Sequence, residues 1–321
     1  MVMSLLSFIK KFSLPVSIMV GTVCYFAFSR ITFLEPIGDV VGPLLQECLP
    51  ALVFALLFVT FCKIQIREMM PRVWHFELQA IRIGMSALLV LVIMSCTEPD
   101  VKLVLEGVFV CVICPTAAAA PVVAEKLGGN ISSLTIYTII ANVVTAIIIP
   151  LFFPLVEKHA DIGFLTAMVM VLRKVTLVLV VPLALALISR KIIPSVTDRI
   201  KARGNLGFYM WNINLAIVTG VTWHNILEAE VSGWVLTLLL LLPLFVTVLQ
   251  FSIGKAVGRR YGESITAGQA LGQKNTVVGI WLTITFLNPL AAVAPGAYVL
   301  WQNMVNAWQL WYKDKYGRLR W

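Results

Sequence analysis

The sequence predicts an all-α polytopic membrane protein with ten transmembrane helices, ordered as two five-helix inverted repeats. Three observations carry that expectation. Mean hydropathy is +0.92, with 60% hydrophobic and only 13% charged residues, whereas a soluble domain carries about 25% charged residues. Apolar stretches near the roughly 20-residue length that spans a bilayer recur ten times along the 321 residues. Basic residues gather in alternate loops between these stretches, as they do where loops face the cytoplasm.

The spans lie near 13–31, 49–66, 73–95, 101–126 and 131–155, then near 168–190, 206–225, 231–255, 264–287 and 290–312. Lys10 and Lys11 precede the first span as in a signal peptide, but the apolar run continues to Phe28 without a small-residue cleavage site, so it reads as an uncleaved span. The other basic groups are Lys63, Arg67 and Arg72; Lys126; Arg190, Lys191, Arg199, Lys201 and Arg203; Lys255, Arg259 and Arg260; and Lys313, Lys315, Arg318 and Arg320. Opposite loops carry Glu35, Asp39 and Glu47, then Glu98 and Asp100, Glu157 and Asp161, and Glu228 and Glu230. Both termini are therefore expected in the cytoplasm, with the chain in the cell inner membrane. Five spans per half is an odd number, so the second repeat (161–321) inserts upside down relative to the first (1–160). No gap leaves room for a soluble domain.

Other function classes find little support. A net charge of +9 would suggest nucleic acid in a soluble chain, but these basic residues sit in short loops and orient helices, so no nucleic-acid partner is expected. Cys24, Cys48, Cys62, Cys96, Cys111 and Cys114 lie in or beside apolar spans. The Cys111-Val-Ile-Cys114 pair has no His or second Cys pair near it to complete four zinc ligands. The thiols read as small buried apolar groups, and neither metal nor cofactor is expected. An enzyme is not expected either: His75, His159 and His224 fall near span edges, no H-E-x-x-H or G-x-S-x-G appears, and no carboxylate pair shares a span. A channel or sensor would want a ring-forming repeat or an attached soluble domain.

Lys274 is the residue to explain. It stands within the apolar stretch 267–286, in Ala270-Leu-Gly-Gln-Lys-Asn-Thr-Val-Val-Gly279. A charge at membrane depth costs about 3 kcal/mol on insertion scales, and it persists beside a substrate path, an ion site or a buried partner. Gly268, Gly272 and Gly279, with Asn275 and Thr276 among them, predict a helix that loosens at mid-membrane and frees backbone groups for binding. The fourth span answers it in the other half, where Pro115 and Pro121 flank Thr116 and a run of alanines. Paired interrupted helices point to the binding site of a secondary transporter. Candidate site residues are therefore Gln273, Lys274, Asn275 and Thr276, with Thr116, Ala119 and Pro121 facing them. Asn212 and Asn214 of the seventh span and Asn303 of the tenth are expected to line a wet cavity; Gln302, Asn306 and Gln309 share that tenth span. Glu106 is expected to pair with Lys102 at i,i+4, and Glu77 with a loop or with Arg82. Trp301, Trp308, Trp311, Tyr312 and Trp321 read as an interfacial belt.

At the two interrupted spans the chain resembles the bile acid:sodium symporter family, through Pro115 to Ala117, Gly128 to Asn130 and Gly272-Gln-Lys-Asn-Thr276, and the resemblance covers nearly the whole chain. It implies that the fourth and ninth helices cross at mid-membrane, near Ala118 to Pro121 and Gly272 to Asn275. It also implies core helices over about 73–155 and 231–312, panel helices over about 13–66 and 164–225, and a substrate between core and panel. Gln79 matches a family glutamine at a sodium site, and Arg82 lies on the same helical face three residues on. Where sodium-coupled members carry an acidic residue and a glutamine on sodium, this chain has Ala270 and Lys274. Where they carry a Ser-Asn pair, it has Ala118 to Pro121. An ammonium within a few Å repels a second cation by about 4 kcal/mol at an effective dielectric of 20. The expected function is thus alternating-access transport of a small organic anion, sodium-independent or proton-linked, with Lys274 either a fixed surrogate for sodium or the carrier of a coupling proton. A sodium-coupled bile-acid-like symporter and an integral-membrane enzyme are the alternatives.

Overall fold

The computed structural model describes residues 13–62, 70–117, 119–157, 164–203, 206–228 and 231–319. Lys10, Lys11, Lys63, Arg67, Ala118, His159, Asp161, Glu230, Arg320 and Trp321 lie outside the described residues. The helices are α1 (Ser13–Arg30), α2 (Glu35–Cys62), α3 (Val73–Ser95), α4 (Pro99–Ile113), α5 (Ala120–Leu127), α6 (Ile131–Val156) and α7 (Phe164–Ile192, with a π-turn at Thr176–Val180). They continue as α8 (Pro194–Ala202), α9 (Leu206–Glu228), α10 (Gly233–Arg259), α11 (Ser264–Gly272), α12 (Thr276–Phe286) and, after a 3-10 turn at Pro289–Ala292, α13 (Val293–Tyr316). Among the described residues the regular structure is helical, and the one β feature is an isolated bridge between two residues.

Five of these helices, α2, α3, α6, α7 and α10, are long and apolar enough to cross a bilayer. The fourth and ninth expected spans are each split, into α4 and α5 and into α11 and α12. The second span starts earlier than its apolar stretch suggests. Glu35, Asp39 and Glu47, expected in a loop, lie on the first half of α2, because Pro36 suits the first turn of a helix and the Glu35 carboxylate favours its N-terminal dipole. Pro194 likewise opens a short helix, α8, where a basic loop was expected. Lys126 lies on the last turn of α5 rather than in a loop. That helix ends at Gly128, whose φ of 88° is left-handed, and the amide of Gly129 closes the end on Ala124 O at 2.7 Å. Asn130 then caps α6, its side chain accepting from Ser133 N at 2.9 Å.

The chain divides into two compact units. The smaller holds α1, α2, α8, α9 and α7 from Leu185 onward. There α9 packs on α1: Ser17 Oγ donates to Asn212 Oδ1 at 2.9 Å and Trp223 Nε1 to Thr22 Oγ1 at 2.9 Å. Arg190 donates to Cys62 O at 3.2 Å, satisfying a carbonyl left over at the C-terminal end of α2.

The larger unit holds α3 to α6, α10 to α13 and α7 through Ala184. Its tightest joint is between α10 and α11. A Cβ on Gly254 would sit 2.4 Å from Ala267 O, and one on Gly258 would sit 2.5 Å from the Ala267 Cβ. Small residues four apart let the two backbones touch, as in membrane helix pairs generally. Gly254→Val is therefore expected to lower thermal stability in detergent by the equivalent of about 1–3 kcal/mol or more. Gly84→Ala, which meets no atom within 4 Å, is expected to leave it unchanged. Equal melting temperatures for both variants would remove the close approach as a stabilising feature.

Candidate substrate and coupling site

The two breaks arise from local chemistry. Cys114 precedes a proline and takes an extended conformation (φ −50°, ψ 142°), and Pro115 has no N–H with which to continue α4. On the other side α11 stops at Gly272, Gln273 turns extended (φ −90°, ψ 116°), and Asn275 caps α12. The extended pieces then pair with each other. Thr116 and Lys274 form an antiparallel bridge in which Ala117 N donates to Gln273 O at 3.0 Å and Asn275 N to Pro115 O at 2.8 Å. Backbone groups that the breaks would leave orphaned in an apolar interior satisfy one another.

Side chains brace this crossing. Thr116 Oγ1 donates to Ala270 O at 2.8 Å and Tyr298 OH to Gly272 O at 2.8 Å. Gln302 holds the main chain of Lys274 from both sides, accepting from its N–H at 2.8 Å and donating to its carbonyl at 3.3 Å. Farther along the same face of α13, Asn306 accepts from Gln273 at 3.4 Å, and Gln309 accepts from Gln269 at 2.7 Å. Gln273 also donates to Gln269, its neighbour one turn back.

Two cations reach the broken end of α4. Lys274 Nζ donates to Val112 O at 2.9 Å. Arg82 Nη1 donates to Ile113 O at 3.2 Å, Cys114 O at 3.1 Å and Thr145 Oγ1 at 2.8 Å, and its Nη2 donates to Ala141 O at 3.2 Å. The α4 carbonyls are free because the helix stops there, and they form the negative end of its dipole. Lys274 is 2% exposed and Arg82 3%. Among the described residues neither forms an ion pair with a carboxylate. Glu77, the acid nearest Arg82 in sequence, instead accepts from Tyr261 OH at 2.5 Å.

The remaining candidates fall into three groups. Gln79 is buried one turn from Arg82, and neither its Oε1 nor its Nε2 has a partner; the Nδ2 of buried Asn275 is also unpartnered. Thr276 is buried in the first turn of α12, while Pro121 is buried and Ala119 half-buried where α5 begins. Asn303 is half-buried and returns its amide to Val299 O of its own helix at 2.6 Å, away from the contacts Gln302 and Asn306 make. Asn212 and Asn214 belong to the smaller unit, where Asn212 accepts from Ser17 and Asn214 donates to Met210 O at 2.9 Å.

Residues 33–305 match the SBF-like CPA transporter family, one related to the bile acid:sodium symporters. The chain belongs to this family. It is therefore a multi-pass membrane transporter. No protein of curated function matches it. In this SBF-like chain sequence reasoning passed over Gln269 and Tyr298, and it noted Gln302, Asn306 and Gln309 on the tenth span but chose Asn303 as the site candidate. Their signal was the i, i+4, i+7 spacing of Gln302, Asn306 and Gln309, which sets three amides on one helical face and leaves Asn303 off it.

Proposed function

We propose that this SBF-like protein is a secondary transporter of a small organic anion, and that Lys274 and Arg82 serve as built-in cations where relatives bind coupling ions. One observation carries the reading: two buried cations share the carbonyl end of α4, and among the described residues no carboxylate pairs with either. A buried charge that lacks a counter-charge is costly, and an anion arriving from water offsets that cost. Sodium does not suit this place. Position 270 offers an alanine whose carbonyl already accepts from Thr116, and carbonyls of the broken helix end are taken by an ammonium and a guanidinium.

In this reading α3 to α6 and α10 to α13 form a core that moves against a panel of the remaining helices. The ten crossings form an inverted repeat with both termini in the cytoplasm of an inner membrane. Support for the repeat comes from the matched breaks at Pro115 and Gly272 and from the alternating basic loops. The experiment is a thermal-shift screen of organic anions on purified protein, with sodium exchanged for potassium at fixed ionic strength. A bound anion raises the melting temperature by mass action. That rise is expected to be the same in both salts. A steep, saturable sodium requirement that potassium does not share would overturn the reading.

A further inference from the structure

A second charged cluster lies on α4, closer to its N-terminal end than the cation-bearing carbonyls. Lys102 Nζ is 2.5 Å from Glu157 Oε2 and 3.6 Å from Glu106 Oε1. The three differ in access: the side chains of Lys102 and Glu157 are 32% and 36% exposed, that of Glu106 only 2%. One ammonium thus serves two carboxylates, and it is committed to the more exposed one. The only other polar contact to Glu106 among the described residues is the Asn288 N–H, at a long 3.4 Å. The charged groups facing Glu106 are Lys102, on its own helix, and Glu157, at the end of α6. Helices α3, α10, α12 and α13, which also pack on α4, bring it none among the described residues.

The surroundings deepen the imbalance. Phe109, one turn after Glu106, lies tilted against Phe153, and Phe153 meets Phe286 edge-on, with ring centroids 5.6 and 6.1 Å apart. Glu157 lines a cavity of about 130 Å³ together with Lys174, Phe153 and Phe286, room for several waters at about 30 Å³ each, whereas Glu106 does not line it. Solvent therefore reaches Glu157, and Glu106 stands behind Lys102 with one negative charge more than the cluster can balance. Buried carboxylates are stable as anions only when fully paired and hydrogen-bonded.

We propose that Glu106 is the coupling-proton site of the transport cycle, with Lys102 and Glu157 as its gate. The proton passes from water on the Glu157 side to a Glu106 oxygen, and Lys102 stays an ammonium paired with Glu157, so the cluster becomes neutral. Two links tie this site to the crossing. Glu106 and Val112 are six residues apart on one helix, about 9 Å, so the helix that takes the proton also presents the carbonyl that holds Lys274. Asn288, which follows α12, contacts the Glu106 carboxylate itself, and a protonated carboxyl is a weaker acceptor. Protonation loosens the outer tie between the two broken spans while the crossing stays closed.

The proposal rests on the transport reading, and two measurements separate them. In infrared spectra of purified protein, a carboxylic-acid carbonyl band is expected to grow as the pH falls from neutral and to be missing from Glu106→Gln. In proteoliposomes, an inward proton gradient is expected to accelerate anion uptake by the parent, and Glu106→Gln is expected to lose that acceleration. A spectrum without such a band, or a variant that keeps the full gradient response, overturns the assignment. Should Glu106→Gln not fold, Lys102→Gln replaces it: the band should persist and move to higher pH, and an unmoved band overturns the assignment. If the parent takes up no anion under any gradient, it is the transport reading that fails, and the titrating band still decides whether Glu106 binds the proton.

Discussion

Lys274→Gln is expected to give a folded protein that no longer transports, or that transports without coupling. The fold should survive because the main chain at 274 is held independently of the side chain: Gln302 clasps its N–H and carbonyl, and the bridge to Thr116 uses neighbouring backbone groups. The lost side chain makes one hydrogen bond, to Val112 O. Removing a buried, carboxylate-free ammonium also removes its desolvation cost, so the melting temperature should hold or rise. Activity should fall because, on the proposed reading, the charge that attracts the anion has gone. The check is thermal unfolding in detergent beside uptake in proteoliposomes, and uptake at the parent rate by a well-folded variant would make Lys274 a packing residue.

Arg82→Gln should behave in the opposite way, as a loss of stability first. Its guanidinium donates to the Ile113, Cys114 and Ala141 carbonyls and the Thr145 hydroxyl, four acceptors on two segments, the end of α4 and α6. Each buried acceptor left without a partner costs about 1–3 kcal/mol. Even after relief of the guanidinium's own desolvation, a net loss of at least about 2 kcal/mol is expected, read as a lower melting temperature and poorer yield. Arg82→Lys keeps the charge but not the planar fork, so it should fall between the two. An Arg82→Gln protein as stable as the parent would show that water or neighbouring donors replace the guanidinium.

The broken spans were legible because proline and glycine act on the backbone where they stand, and Pro115, Pro121 and Gly272 each lie at or beside an observed break. Lys274 was legible because an apolar run makes a single charge conspicuous. What holds the two cations was not. Val112, Ile113 and Cys114 have apolar or weakly polar side chains, and their carbonyls become acceptors only once the helix stops. A carboxylate such as Glu77 was the natural partner to seek for Arg82, yet Glu77 is engaged by Tyr261. On α13 the helical spacing of Gln302, Asn306 and Gln309 was visible, but which face meets α11 is a matter of packing. Hydropathy placed the second span by its apolar half, whereas Glu35 and Pro36 mark the true start of α2 by capping chemistry.

The seam between the two broken spans is sewn largely with main-chain atoms, at Ala117 and Gln273 and at Asn275 and Pro115. The side chains that brace it, Thr116, Tyr298 and Gln302, bond main-chain atoms and not the side chain of Lys274. On the proposed reading, positions 119 to 121, 270 and 274 are places where side chains can be exchanged, ion ligands for fixed cations or the reverse, without breaking that main-chain pairing. The positive charge at this crossing is then a property of two side chains, Lys274 and Arg82, set on a seam that main-chain atoms hold together.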